Sequence, residues 1–225
     1  MRIPVLTYSI KCNGEKIMED NNNYGFFAML DRMQYINRWG LMRNNKVENI
    51  KEHSFDVAVI AHALAVLHNE MFEHELKTDP YKVLTYALYH DCTEIITGDL
   101  PTPIKYRNET IKKAYREVEH EAAVRLSSLL PGIMQDEYLE LLSPKFETED
   151  DLLVKKLVKA ADRISAYIKC ITEEASGNTE FTSAKKTIKD TIDKIGLPEV
   201  DYFMERFVPS YGYTLDELNA QGAKE

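Results

Sequence analysis

Positive charge is scarce in this chain, and so are glycine, proline and cysteine. Lys and Arg number 28 against 37 Asp and Glu, giving a net charge of −9 with the six His counted neutral. A nucleic-acid backbone needs clustered Lys and Arg, so this balance argues against a polymer-binding protein. A small phosphorylated substrate stays open, because a few local cations and a metal ion hold one phosphate inside an acidic protein. The 9 Gly and 8 Pro are too few to punctuate many short strands. Cys12, Cys92 and Cys170 form no C-x-x-C pair. An odd count without a framework reads as free thiols in a reducing compartment. No stretch approaches the roughly 18 apolar residues of a membrane span, and the first 23 residues lack the apolar run of a signal peptide. The expectation is a cytoplasmic protein without membrane contact.

What is present points to helices. The 225 residues are 44% apolar and 29% charged, which suits one domain with a substantial core. Apolar spacing predicts helices over 24–37, 49–73, 79–96, 107–130, 133–142, 147–176, 179–195, 199–207 and 214–219. Asp79–Pro80 marks one helix start, whereas Gly98, Pro131–Gly132 and Gly177–Asn178 mark stops. Residues 38–49 and 99–106 read as loops. Alternation at Ile3, Val5 and Thr7 hints at a strand or an extended arm. The predicted fold is all-α, a single-domain helical bundle over 24–219, with an extension at 1–23 and a flexible tail at 220–225.

The informative feature is polar chemistry inside apolar helices. Val83, Leu84, Ala87 and Leu88 set an apolar face, and His90 and Asp91 follow at once. With Glu94 three and four residues on, helical spacing puts an imidazole and two carboxylates on one patch. Such groups need hydrogen-bond partners or a cation when buried. Taken alone, Asp91 reads more readily as the hydrogen-bonding partner of a core histidine. His53 adds a second imidazole, on the face shared by Asp56, Val57, Ile60 and Leu64. His62 falls on the opposite side and reads as structural. His68, His74 and His120 lie in charged settings and read as surface residues. Asp162 stands at the edge of the stripe Val154, Val158, Ala161, Ser165 and Ile168, opposite Lys155, Lys156, Lys159 and Arg163. Two imidazoles and two carboxylates suit Zn²⁺, Mn²⁺, Co²⁺ or Fe²⁺ better than Ca²⁺.

The order His53, His90–Asp91, Asp162 resembles the H…HD…D signature of the HD-domain phosphohydrolases. More narrowly, the chain resembles the bacterial 5′-deoxynucleotidases of the YfbR type. The matching segments are INRWGLMRN (36–44), ENIKEHS (48–54), YHDCTEIITGDLPTPIKY (89–106), LVKAADRISAYIKC (157–170) and DYFMERFVPSYGYTLDEL (201–218). Residues 1–23 have no counterpart in the resemblance. It implies an HD phosphohydrolase domain with a mononuclear metal held by His53, His90, Asp91 and Asp162. It implies Glu94 and Asp99 as catalytic acidic residues, Arg38 as a phosphate contact and Trp39 as a wall of the sugar pocket. It also implies a homodimer acting on deoxyribonucleoside 5′-monophosphates. Arg suits a phosphate because its planar fork donates two parallel hydrogen bonds. Asp99 could protonate the departing oxygen or bind the sugar. Lys105 and Lys169 are further phosphate candidates, as readily read as solvated surface lysines, and Thr97, Thr102 and Tyr106 are undecided. Two rivals stand beside this reading: a deoxynucleoside triphosphate triphosphohydrolase with the same metal set, and a non-enzymatic scaffold with a structural metal. A phosphodiesterase with two metals would need ligands beyond the single H…HD…D set.

Overall fold

The computed structural model describes residues 11–12, 15–16, 23–105 and 107–221. The helices are α1 (Phe26–Asp31), α2 (Ile50–Glu70), α3 (Pro80–Tyr89), α4 (Glu94–Thr97), α5 (Thr102–Lys105), α6 (Glu109–Ser127), α7 (Gly132–Leu142), α8 (Glu149–Ala175), α9 (Thr182–Ile192), α10 (Pro198–Arg206) and α11 (Leu215–Gln221). Short 3₁₀ turns cover Arg32–Tyr35, Thr179–Phe181 and Val208–Gly212. Extended pairing among the described residues amounts to β1 (Lys11–Cys12) against β2 (Glu15–Lys16) and one bridge between Asn37 and Asn49. The fold is all-α, as expected. The alternating positions Ile3, Val5 and Thr7 lie outside the described residues.

Local chemistry sets the helix starts. The Asn49 side chain accepts from the backbone N–H groups of Lys51 and Glu52, both at 3.0 Å, so α2 begins at Ile50 and His53 falls in its first turns. Asp79 caps α3, and Pro80 occupies the first turn, where its missing N–H costs nothing. Thr148 and Asp151 form a reciprocal capping box at α8.

The helix predicted over 79–96 is broken. α3 ends at Tyr89, and the chain turns through His90–Thr93 before α4. Cys92 N bonds to Tyr89 O (3.1 Å), Glu94 N to Asp91 O (3.0 Å) and Ile95 N to Cys92 O (3.2 Å). Bonds reaching back three residues wind more tightly than an α-helix. Glu94 is therefore brought to the site by a turn and not by helical stacking on His90.

Two apolar clusters flank that turn. Val57, Ala61, Leu64, Val83, Ala87, Leu157, Ala161, Ile164 and Val200 join α2, α3, α8 and α10. Phe26, Met33, Ile50, Cys92, Ala123, Leu126, Leu130 and Leu142 form the second cluster. Ala87 belongs to the first and Cys92 to the second, so His90 and Asp91 lie at the seam. Cys92 and Cys170 are buried free thiols. Val57, Ile60 and Leu64 face inward as predicted, but Asp56 is exposed. His62 packs on the Tyr81 ring at 5.6 Å, away from the seam, and His120 is exposed. His68 and His74 depart from the surface expectation: His68 is 4% exposed, and both imidazoles meet the buried Glu199 carboxylate.

Candidate metal centre and active site

The structure brings His53, His90, Asp91 and Asp162 together from α2, the α3–α4 turn and α8. His53 Nε2 lies 3.1 Å from Asp162 Oδ1 and 3.6 Å from Asp91 Oδ2. His90 Nε2 lies 3.2 Å from the same Asp91 oxygen. Donor atoms of His53, His90 and Asp91 all fall within 4.8 Å of one another. Asp162, the weakest candidate from spacing alone, joins them through His53.

Tautomers test whether a cation fits. His90 Nδ1 lies 2.7 Å from the Ala87 carbonyl, which only accepts, so Nδ1 carries the proton. In the neutral ring Nε2 then presents a bare lone pair; the Asp91 carboxylate, against burial, raises the pKa of the imidazole and so draws positive charge to this nitrogen. It is buried, has no hydrogen-bond partner, and faces a carboxylate oxygen. Two acceptors at that distance need a positive charge between them. His53 Nδ1 pairs with Ser165 Oγ at 3.1 Å, which fixes the ring while Nε2 points at Asp91 and Asp162. A ligand histidine held through its far nitrogen is the arrangement metal sites use. The residues fit a divalent ion with mixed N/O ligands.

Electrostatics follow from crowding. Burial alone would raise the pKa of Asp91, but His90, His53 and Arg38 outweigh it and hold the carboxyl well below its ordinary range. Asp162 is likewise drawn down, chiefly by its bond to His53, against burial. Glu94 behaves oppositely. Burial, then the charges of Asp91 and Asp99, push it up to about 9, and its Oε2 is buried without a partner. Asp99 is raised by burial, with Asp91 adding to the effect against the pull of Arg38. Gly98, at φ 73°, ends α4 in the left-handed region and turns the chain toward Asp99.

Arg38 and Trp39 stand on a loop closed at its base by Arg38 N donating to Glu48 O at 2.9 Å. Arg38 Nη1 donates to Asp91 Oδ2 at 3.3 Å, placing the guanidinium beside the ligand cluster. Glu48, which spacing did not single out, accepts at one oxygen from Arg38 Nε (3.1 Å) and Trp39 Nε1 (2.9 Å). Trp39 has φ 59°, uncommon for a bulky residue and sustained only where the surroundings fix it. Glu48 supplies one restraint. Phe181, with ring centroids 5.3 Å away, supplies another.

Other candidates lie elsewhere or are already engaged. Lys105 donates to Glu119 at 2.7 Å and sits over the Tyr115 ring, although its charge still reaches Glu94 and Asp99. Lys169 is neither a surface lysine nor part of the cluster. It is buried, paired with Glu173, and donates to the Lys46 carbonyl. Thr97 meets Tyr115 Oη at 3.3 Å. Tyr106 and the Thr102 side chain lie outside what is described.

Fold and site together define an HD-type phosphohydrolase. The fold is shared with an HD-domain phosphohydrolase from Listeria innocua, with TM-score 0.70 and 24% identity, covering 83% of this chain and 87% of that one. It is shared also with the cyanophage S-2L HD phosphohydrolase DatZ, solved bound to dA and one catalytic Zn²⁺ ion (TM-score 0.58, 19% identity, 81% and 96% covered). The family model for YfbR-like 5′-deoxynucleotidases matches residues 25–211. A 5′-deoxynucleotidase of Cronobacter sakazakii is 45% identical over 194 residues, 86% of this chain and 95% of its own. One from Pectobacterium atrosepticum is 44% identical over 198 residues, covering 88% and 97%. The chain belongs to the YfbR-like 5′-deoxynucleotidase family and is a hydrolase. Among the described residues no helix is long and apolar enough to cross a membrane.

Proposed function

We propose that this enzyme removes the 5′-phosphate from deoxyribonucleoside 5′-monophosphates, with one divalent ion held by His53, His90, Asp91 and Asp162. The observation that carries the reading is the buried, unpartnered Nε2 of His90 facing the Asp91 Oδ2 that also meets the Arg38 guanidinium. The names of the 5′-deoxynucleotidase relatives and the dA-bound DatZ neighbour support the substrate class. When bound, the ion supplies Lewis acidity and acidifies a coordinated water. Zn²⁺, Mn²⁺, Co²⁺ and Fe²⁺ all suit the donor set.

The chain's own residues divide the remaining work. Arg38 binds the phosphate, held in position by Glu48. Trp39 walls the sugar pocket, so a ribose 2′-hydroxyl meets an indole face instead of a partner. Glu94 orients the attacking water and takes its proton. Burial and the charges of Asp91 and Asp99 favour its protonated form, whereas positive charge at the ligand cluster favours the carboxylate that accepts the proton. The water oxygen bonds to phosphorus as the P–O5′ bond breaks. Asp99, raised by burial, is suited to return a proton to O5′. Lys105 steadies the negative charge from a distance, still paired with Glu119. With Lys105 engaged, Arg38 is the main cation offered to substrate, which suits a monophosphate better than a triphosphate. The active form is a cytoplasmic homodimer whose catalytic domain spans 24–219.

The test is a phosphate-release panel of dNMPs, NMPs and dNTPs, with metal-stripped protein refilled with Co²⁺, Mn²⁺, Zn²⁺ or Mg²⁺. Inorganic phosphate from dNMPs is the expected product; triphosphate from dNTPs overturns the reading. Glu94→Ala should lose nearly all turnover while its metal content survives, and full activity in that variant removes Glu94 from the mechanism.

A further inference from the structure

A second histidine–carboxylate cluster lies at the opposite end of α2. His68, in the last turn of α2, places Nδ1 2.7 Å from Glu199 Oε1. His74, in the connection between α2 and α3, places Nε2 3.4 Å from Glu199 Oε2. Glu199 enters from the first turn of α10 and is fully buried. Among the described residues no Lys or Arg pairs with it; its partners there are the two imidazoles.

The hydrogen-bond count does not close without one further proton or a metal ion. His68 Nε2 lies 3.0 Å from the Leu76 carbonyl, an acceptor, so that nitrogen carries the proton. In the neutral ring Nδ1 is then a lone pair aimed at a carboxylate oxygen. A buried carboxylate facing a second acceptor is costly unless positive charge joins them. Two imidazolium charges are disfavoured, because the His68 and His74 rings stack with centroids 3.9 Å apart and planes 8° from parallel. A single shared proton or one metal ion closes it, and the convergence of three donors from three elements within 4.8 Å of one another favours the metal.

We propose that His68, His74 and Glu199 form a second transition-metal site, of the Zn²⁺ or Co²⁺ class, separate from the catalytic cluster. Two imidazoles and a carboxylate with water as the fourth ligand match the donor set and coordination number these ions take. The Leu76 carbonyl holds His68 by its far nitrogen, the support that metal-bound histidines usually have. His74 is 28% exposed, which gives the ion an entry path. It is also the ring that must swing out of the stack to aim Nε2 at the ion. Its place in a connection, beyond the end of α2, permits that. The ion would tie α10 to the α2–α3 connection.

The experiment uses the full chain, stripped of metal, at about pH 7.5, where free imidazoles are neutral. After zinc loading and desalting, bound metal is counted by elemental analysis. The expected result is about two equivalents per chain in the wild type and about one in His74→Ala. The Co²⁺-loaded wild type should also show visible absorption that His74→Ala lacks. In an Asp162→Ala background zinc should still raise Tm, and adding His74→Ala should abolish that rise. Equal metal counts in wild type and His74→Ala overturn the proposal. So does a Tm that responds to acidification at this cluster but not to zinc, because a proton would then supply the missing charge. The count is independent of the phosphatase reading, which stands or falls on the substrate panel.

Discussion

Two histidine–carboxylate clusters sit fifteen residues apart on α2, about 22 Å at 1.5 Å per residue. The one at His53 opens toward a loop carrying Arg38 and Trp39 and lies beside Glu94, whose buried Oε2 has no partner. The one at His68 is closed by a buried Glu199 and a backbone carbonyl. The same donor types thus serve different ends. Where orphaned acceptors are left beside a cation and an elevated carboxyl, the arrangement is suited to chemistry. Where they clasp three segments, it is suited to stability. Substitutions should therefore separate the clusters: turnover should collapse at the first, and folding stability should fall at the second.

The largest effect is expected at the ligands. His90→Ala should abolish both bound catalytic metal and measurable phosphate release. Glu94→Gln, which keeps the shape but not the base, should lower kcat by about 10²–10⁴-fold with the metal retained. Steady-state kinetics with elemental analysis of the same samples checks both. A His90→Ala protein that turns over normally would erase the contrast.

Next in size is His68→Ala. Leaving a buried carboxylate such as Glu199 without its partner typically costs about 3–5 kcal/mol, or roughly 10 °C in Tm for a domain of this size. Activity per folded molecule should stay near wild type. Calorimetry beside the phosphate assay decides it, and a variant that loses turnover but not stability would reverse the assignments of the two clusters.

Legibility differed between the clusters for physical reasons. His90–Asp91 stood out because a charged dipeptide directly follows an apolar stripe, which burial alone does not favour. His68 was passed over because Asn69, Glu70 and Glu73 surround it in sequence. Yet Ala61, Leu64 and His68 are spaced three and four apart, and that inward register was the available signal. Glu199 gave none, since an acidic residue in the first turn of a helix is ordinary. The helix caps at Asn49, Asp79 and Thr148 belong to local sequence and were within its reach. The break after Tyr89 was not, because its tight turn lies between two apolar cores that only the tertiary structure brings together. Glu48 escaped because its role depends on a loop closure linking residues ten apart, which follows no helical or strand period.

Glu48 and Trp39 give a smaller, more selective effect. Trp39→Ala should narrow the dAMP-to-AMP ratio of kcat/KM by up to about 100-fold, the scale on which a pocket rejects an added hydroxyl. Glu48→Ala should act through Arg38 and Trp39 together, raising KM by about 10-fold, as loss of a supporting contact does. Glu48→Gln, which keeps an acceptor, should recover part of that. An unchanged sugar ratio in Trp39→Ala would remove the indole from specificity.

The smallest effect concerns the loop's other anchor and carries a pH signature. Glu173 on α8 accepts from Asn45 N (2.9 Å), Lys46 N (3.1 Å) and Asn178 Nδ2 (2.8 Å), and pairs with Lys169. Burial would raise its pKa, but these donors outweigh it and bring the value down from 4.5 to about 2. A carboxyl depressed on folding contributes its stability above the unfolded value and loses it as pH falls through the folded one. The Tm gap between wild type and Glu173→Gln should therefore be constant from neutrality to about pH 5 and close between about 4.5 and 2. Because the same bonds pin the loop that presents Arg38 and Trp39, KM for dNMP should rise modestly at neutral pH, whereas metal content at both clusters should not change. A gap that widens on acidification would contradict a carboxylate role for Glu173.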